Sequence, residues 1–258
     1  FTYAIGTAAG TYGTLTMTGA DWTYTIDNSA AATNALAHDG SGNDVFTITV
    51  TDTSSTLTDD MTVTITVSGA NDDPTLATAQ ADASAAEDAA YSLDVSGNFA
   101  DVDVGDSLSY TATGMPSTLT MSTAGVLSGT PVNADVGAHT VVVTATDGTA
   151  SVTDTFVVTV TNTNDAPTLA TAQADASTAE DALYTLDVSG NFADVDVGDS
   201  LSYTATGMPS TMTMSTAGVL SGTPVNADVA AHTVVVTATD GTASVTDTFV
   251  VTVTNTND

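Results

Sequence analysis

His139-Thr-Val-Val-Val-Thr-Ala-Thr-Asp-Gly-Thr-Ala-Ser-Val-Thr-Asp-Thr-Phe-Val-Val-Thr-Val-Thr161 is the stretch that decides the fold. Its two runs, His139–Thr146 and Asp154–Thr161, combine β-branched residues with period-two alternation, which places Phe156, Val158 and Val160 on one face of a strand. Between them Asp147-Gly148 is a tight-turn signal, because both residues tolerate the positive φ that hairpin turns require. The stretch therefore predicts an antiparallel hairpin with one buried and one Thr-rich, solvated face.

The same hairpin returns around Asp240-Gly241, and it is the end of a longer repeat: Pro74–Asp165 recurs as Pro167–Asp258 with five of 92 aligned positions changed. The changes, Ala85/Thr178, Ala90/Leu183, Ser92/Thr185, Leu119/Met212 and Gly137/Ala230, are mild. Upstream of the hairpin, strands are expected near Tyr91–Val95, Ser107–Thr113, Thr118–Ser122 and Val126–Ser128, separated by Gly, Pro, Asn and Asp clusters. Ser84–Ala90 reads as a strand edge or a loop. Six or seven short strands in about 93 residues indicate a β-sandwich. The fold class expected is all-β, as tandem sandwiches over residues 74–166 and 167–258. Residues 1–73 form a different β domain that ends in a similar junction, Gly69-Ala-Asn-Asp-Asp-Pro74 against Asn162-Thr-Asn-Asp-Ala-Pro167. These linkers are short and lack Gly/Ser runs.

The chain has no Lys or Arg, against 29 Asp and two Glu, for a formal charge of -31. Only His38, His139 and His232 can become cationic. Such a field repels nucleic acid phosphates and anionic membrane surfaces and attracts metal cations. At 42% hydrophobic and 12% charged residues the chain is nonetheless composed to fold. The absence of Cys removes disulfides, and no stretch is apolar for the roughly 20 residues that a membrane helix needs. A chain without Lys or Arg offers nothing to trypsin-like proteases, which suits an extracellular location. Phe1 falls within an apparent strand, so the sequence reads as a processed chain or a piece of a longer one.

Two resemblances sharpen this reading. Gly10-Thr-Tyr-Gly-Thr-Leu-Thr-Met17, Asp21-Trp-Thr-Tyr-Thr-Ile-Asp-Asn28, Asn34-Ala-Leu36 and Asp44-Val-Phe-Thr-Ile-Thr-Val-Thr-Asp52 resemble the VCBS repeat of large bacterial surface proteins, without the beginning of that repeat. Phe99-Ala-Asp-Val-Asp-Val-Gly-Asp-Ser-Leu-Ser-Tyr110, Gly125-Val-Leu-Ser-Gly-Thr-Pro131, Thr144-Ala-Thr-Asp-Gly148 and the Asn-Asp-Ala-Pro junction resemble the cadherin-like, dystroglycan-type domains of the immunoglobulin-like group. The resemblance implies a tandem stalk segment of an adhesin or surface fibre.

Strand order alone sets acids at both ends of each sandwich. If the first strand runs down from Pro74 to Glu87-Asp88, then Asp101-Val-Asp-Val-Gly-Asp106 and Asp147-Gly148 lie at the top and Asn162-Thr-Asn-Asp165 at the bottom. Stacking two units brings Glu87, Asn164, Asp165 and, as a further candidate, Asp135 against Asp194, Asp196 and Asp240. With no Lys or Arg to neutralise them, these acids must be solvated, protonated or metal-bound, and an oxygen-only set suits Ca²⁺ with its 6–8 ligands. The alternative is that Asp-x-Asp and Asp-Gly merely form turns on a solvated acidic surface. Asp101–Asp106 lacks the spacing of an EF-hand loop. The cadherin-like resemblance implies Ca²⁺ at both junctions, the first using Asn71, Asp72, Asp101, Asp103 and Asp147, with Asp52, Asp59 and Asp60 as candidates from the first domain.

Signals with a catalytic look are weaker. Gly105-Asp-Ser-Leu108, repeated at Gly198–Leu201, spells the block of a family of serine esterases, but its Ser precedes a strand and the His of the unit lies at the start of another. Trp22 with Tyr24 could stack on a sugar, although a lone Trp in a strand of a small domain reads as core. The expectation is a non-enzymatic extracellular stalk segment rigidified by Ca²⁺ between neighbouring domains. The alternatives are a filament subunit joined to other copies by strand exchange and a carbohydrate-binding module. A surface glycan or receptor would be met elsewhere on a longer chain.

Overall fold

The computed structural model describes residues 1–257. Asp258, the last residue of the repeat and of the Asn255-Thr-Asn-Asp junction, lies outside the described residues. The chain divides into two compact units. One contains Phe1–Ala85, Ala89–Pro131 and Gly137–Val160, and the other Ala86–Asp88, Val132–Val136 and Thr161 onward. Both are all-β, apart from short helical turns.

In the first unit, Thr2–Ile5, Ser41–Thr51 and Thr58–Ser68 form a three-stranded antiparallel sheet with the longest strand central. The hairpin Gly13–Thr18 and Asp21–Ile26 pairs Leu15 with Tyr24. A one-turn helix, Ala31–Asn34, was not expected from the sequence. The core here is small: Leu15, Phe46 and Ile48 are buried, with Tyr24, Val63 and Ile65 packed against them. Trp22 departs from its expected core position, since it is 46% exposed. Tyr24, one turn of the pleat further, takes the inward place and meets Phe46 edge-on at 6.1 Å.

A buried carboxylate ties this domain together. Asp44 accepts the main-chain N–H groups of Thr11 (2.6 Å), Tyr12 (3.0 Å) and Gly13 (3.1 Å) and the Tyr24 hydroxyl (2.8 Å). The motif Gly10-Thr-Tyr-Gly13 is shaped to this acid, because a Cβ at Gly10 would collide with the Asp44 carboxylate. Burial pushes the Asp44 carboxyl up, but the Tyr24 hydroxyl and the three amides outweigh it and hold the group below the usual carboxylate range. The Tyr24 phenol is pushed up to about 12 by burial first and by Asp44 second.

The first sandwich sets the sheet Ser109–Thr113, Gly137–Thr146, Ser151–Thr161, Ala83–Ala86 against the sheet Leu119–Met121, Val126–Gly129, Tyr91–Asp94. The hairpin read from the sequence is present, with Val141 opposite Phe156 and Thr146 opposite Ser151. Phe156, Val158 and Val160 all point inward, each at most 2% exposed. Phe156 and Val158 pack with Val95, Phe99, Leu127, Val141 and Val143 in a core far larger than that of the first domain.

The expected single first strand from Pro74 to Glu87 is broken in two. Thr75–Leu76 pairs with Phe99–Ala100, whereas Ala83–Ala86 lies beside Ser151–Thr161 in the other sheet. The crossing is held by carboxylates: buried Asp154 accepts the Gln80 N–H (2.7 Å), and Asp82 accepts the Val157 N–H (2.8 Å). A polar segment, Gln80-Ala-Asp82, thus changes sheets without stranding its main-chain groups.

In the second unit the sandwich repeats this plan. Ala176–Ala179 pairs parallel with Ser244–Thr254, followed by Ala231–Thr239 and Ser202–Thr206. Phe249 and Val251 replace Phe156 and Val158, and Met212 occupies the place of Leu119 at 4% exposure. Because Leu and Met are close in volume, Met212→Leu should cost less than about 1.5 kcal/mol. Phe249→Ala, which leaves a cavity, should cost about 3–5 kcal/mol. Urea unfolding of the two variants gives both numbers.

Candidate metal centre

A chain without Lys or Arg must satisfy every buried acid by other means, and most are satisfied by amides and hydroxyls. Asp44 and Asp154 were described above. Asp247 accepts the Gln173 N–H (2.7 Å), and Asp228 accepts Ser210 N–H and Oγ, Thr211 Oγ1 and Val225 N–H. The Ser210 hydroxyl is the main cause that holds the Asp228 carboxyl well below the usual range, against the opposing effect of burial. Asp135, the candidate at the bottom of the first sandwich, follows the same inward plan and accepts the Val132 N–H. It is a structural acid of its turn.

The acids of the second unit's junction differ. Glu87 is 1% exposed; one oxygen accepts the Thr163 N–H (2.7 Å) and Oε2 has no partner. Asp196 is 5% exposed; one oxygen accepts the Asp165 N–H (2.8 Å) and Oδ1 has no partner. Asp194 accepts the Asp196 N–H (3.0 Å) and leaves a buried Oδ2 unpaired. Asn133 donates Nδ2 to Asp165 (2.7 Å) and leaves a buried Oδ1 unpaired. Asn164 donates Nδ2 to Asp240 (3.0 Å), whose other oxygen accepts Thr242 and Ala243 N–H. One carboxylate oxygen each from Asp194, Asp199 and Asp240 lies within 4.8 Å of the others.

In the first unit the corresponding residues make the corresponding bonds. Asp72 N–H donates to Asp103 (2.9 Å), Asn71 Nδ2 to Asp147 (3.0 Å), and Asp103 N–H to Asp101 (2.9 Å). Asp101 Oδ2 and Asp103 Oδ1 are buried without partners. One oxygen each of Asp101, Asp103 and Asp106 falls within 4.8 Å of the others. Gly105 makes this possible: its φ of +104°, which side chains rarely adopt, turns the loop so that Asp106 comes back toward Asp101.

Ten of the eleven residues singled out at the two junctions thus lie in two hydrogen-bonded constellations, and the eleventh, Glu87, bonds Thr163 of the linker. The acids proposed from the first domain do not join them. Asp52 closes a turn on Ser54 and Ser55, and Asp60 binds Thr49 at the start of strand Thr58–Ser68, roughly 25 Å of strand away from the linker. Asp88, Asp106, Asn133 and Asp199, which the sequence reading did not single out, lie beside these constellations: Asp106 and Asp199 in the two acid groups, Asn133 bonded to Asp165, and Asp88 acting on Asp165. Asp106 and its copy Asp199 were visible in the quoted motif, but placing them required the turn at Gly105. Asn133 opens a 3-10 turn that no periodicity announced.

The charges strain against one another. Burial, then Asp88, Asp196 and Asp194, raise the Asp165 carboxyl above its ordinary value. Burial, then Asp196, Asp194 and Asp240, raise that of Asp199. A carboxyl raised in the folded state disfavours folding once it ionises, so its contribution improves as pH falls through the raised value. In chelator, therefore, the contribution of Asp165 and Asp199 to the stability of the second unit should improve as pH is lowered toward the carboxylate range. In saturating Ca²⁺ the dependence should reverse, because protons then compete with the ion. Thermal melts at stepped pH, with Asp165→Asn/Asp199→Asn as the control, would read this out.

The esterase-like block has no such support. Ser107 precedes the strand whose first residue, Ser109, lies opposite Thr146, while His139 is seven residues further along that partner strand, roughly 23 Å away. His232 instead bonds the Asp228 carbonyl (2.7 Å).

Comparison with known proteins agrees with the architecture. Among solved structures, the first four cadherin domains of protocadherin gamma B7 align with 99% of this chain and 67% of that one, at 16% identity and a TM-score of 0.50. An endo-fucoidan hydrolase of glycoside hydrolase family 107 aligns at 22% identity and a TM-score of 0.35, and the chain spans 39% of its length. Such identities speak to fold alone. No curated protein matches the chain. The family described as "Putative Ig domain" matches residues 73–161 and 166–254, most of the chain and once per repeat, and the chain belongs to that immunoglobulin-like family.

Proposed function

We propose that the chain is a non-enzymatic structural segment of an extracellular adhesin stalk or cell-surface fibre, rigidified by Ca²⁺ at its domain junctions. In this reading residues 1–73 are a partial VCBS-like domain, and 74–166 and 167–258 are cadherin-like repeats. The observation that carries it is the contrast among buried acids. Asp44, Asp154, Asp228 and Asp247 have both carboxylate oxygens engaged, whereas Glu87, Glu180, Asp103 and Asp196, equally buried, each keep one oxygen unpaired, and Asp103 and Asp196 do so among other acids. An unpaired buried carboxylate oxygen is costly, the chain has no Lys or Arg to offset it, and an external cation would do so while neutralising the neighbouring acids as well.

The donors fit a hard ion. They are carboxylate and amide oxygens without His or Cys, and their number suits the 6–8 ligands of Ca²⁺ better than the compact octahedron of Mg²⁺. Glu87, Asn133, Asp165, Asp194, Asp196 and Asp240 would hold it in the second unit, and Asp101, Asp103, Asp106 and Asp147 in the first. The ion would supply charge neutralisation and crosslinking. The protein's own part is to preset the oxygens: Asp72 and Asp165 N–H groups orient Asp103 and Asp196, and the hairpin amides orient Asp147 and Asp240. Thermal unfolding and small-angle scattering with and without millimolar Ca²⁺, beside Asp194→Ala/Asp196→Ala, test the proposal.

A second reading rests on the first domain. Strand Thr58–Ser68 is an unpaired sheet edge, its inward Met61 is 50% exposed, and Phe1 and Leu57 beside it are more exposed still. A strand from another copy could complete this sheet. Concentration-dependent polymers of purified protein would favour that reading over a passive stalk.

A further inference from the structure

The tops of the two sandwiches are copies, yet what meets them is different. In the second unit the linker is met by Glu87, which accepts the Thr163 N–H, and by Asn133, which donates to Asp165; each keeps a buried, unpaired oxygen, as do Asp194 and Asp196, and Asp88 acts on Asp165. In the first unit the top carries two, on Asp101 and Asp103. The first domain meets that loop through main chain, its Ala35 carbonyl accepting the Val104 N–H (3.3 Å). Gly69 of the linker donates to the Gly40 carbonyl, but the neighbouring acid, Asp39, is 90% exposed and sits 3.6 Å from His38.

Building on the Ca²⁺ reading above, we infer that the Asp101–Asp103–Asp106 cluster is a separate, weaker divalent-cation site, filled only after the second-unit site. Asp103 is 4% exposed with Oδ1 unpaired among three acids, so the cluster is built to accept an ion. It lacks a counterpart of Glu87 and Asn133, and affinity at oxygen sites falls as charged ligands are removed. The chain therefore has two responses to one ion. The second-unit site holds Ca²⁺ at low concentration. The first-unit site reports the ambient level, so the boundary between the first domain and the first repeat loosens first as Ca²⁺ falls.

Isothermal titration calorimetry of the full chain with CaCl₂, in buffer stripped of divalent ions, tests this. Two classes of site are expected, separated by about tenfold or more in affinity. Asp101→Asn/Asp103→Asn should remove the weak class alone. Glu87→Gln, isosteric and remote in sequence from the first cluster, should shift the tight class toward the weak one and leave the weak one in place. A single class, or an unchanged tight class in Glu87→Gln, overturns the inference while leaving Ca²⁺ at the junctions standing. No binding heat from the full chain and no change in its melting temperature with Ca²⁺ overturns both.

Discussion

Millimolar Ca²⁺ should raise the melting temperature of the second unit by about 10 °C or more, and Asp194→Ala/Asp196→Ala should abolish most of that rise. An ion that binds only the folded junction stabilises it by RT ln(1 + [L]/Kd), about 2.7 kcal/mol when free ion exceeds Kd a hundredfold. In a domain of this size each kcal/mol moves the transition by roughly 4–8 °C. The effect should be large because the metal-free junction starts from a poor position: Glu87 and Asp196 are buried with an oxygen each unsatisfied, and Asp165 and Asp199 are pushed toward protonation by burial first and by neighbouring acids second. Replacing Asp194 and Asp196 by Ala removes both the ligands and part of that repulsion. The variant without Ca²⁺ should therefore melt close to the metal-free parent, and this separates loss of a binding site from loss of structure.

The second large effect is expected far from any junction. Asp44→Ala should unfold the first domain or cost it about 3–5 kcal/mol, because it strands the Thr11, Tyr12 and Gly13 N–H groups and the Tyr24 hydroxyl in a buried place. The three-residue core of Leu15, Phe46 and Ile48 leaves little reserve to absorb that loss. Trp22, the single Trp of the chain, reports on this domain alone, so its fluorescence in urea isolates the effect from both repeats. The same acid makes the domain acid-labile. Its depressed carboxyl contributes stability above the ordinary carboxylate pKa, and that contribution is lost as pH falls through the folded value.

Alternation carried the sandwiches. Phe156, Val158 and Val160 share the buried face their spacing announces, and Asp147-Gly148 turns the hairpin between them. Periodicity failed where a side-chain bond overrides it. The break between Leu76 and Ala83 is set by the Asp154 carboxylate, 74 residues downstream of Gln80, and no local pattern encodes such a partner. Trp22 is exposed for a different reason: it shares the face of Tyr24 but stands opposite Met17 at the turn end of the hairpin, where the small core of Leu15, Phe46 and Ile48 no longer covers it. At the site, a repeated Asp-x-Asp motif disclosed which acids sit at the top of each sandwich. It did not disclose that Asp135 turns inward to its own turn while Asn133, two residues before it, faces Asp165. That choice depends on a 3-10 turn whose residues have no period to read.

The most direct test of the central claim is a crystal structure grown in Ca²⁺ and soaked with a lanthanide that substitutes for it, with anomalous diffraction recorded at the lanthanide edge. The account predicts anomalous density bounded by Glu87, Asp165, Asp194 and Asp196, with Glu87 Oε2 and Asp196 Oδ1 turned onto the ion. Density absent from that cluster, with those two oxygens instead bound to ordered water or rotated into solvent, would contradict it.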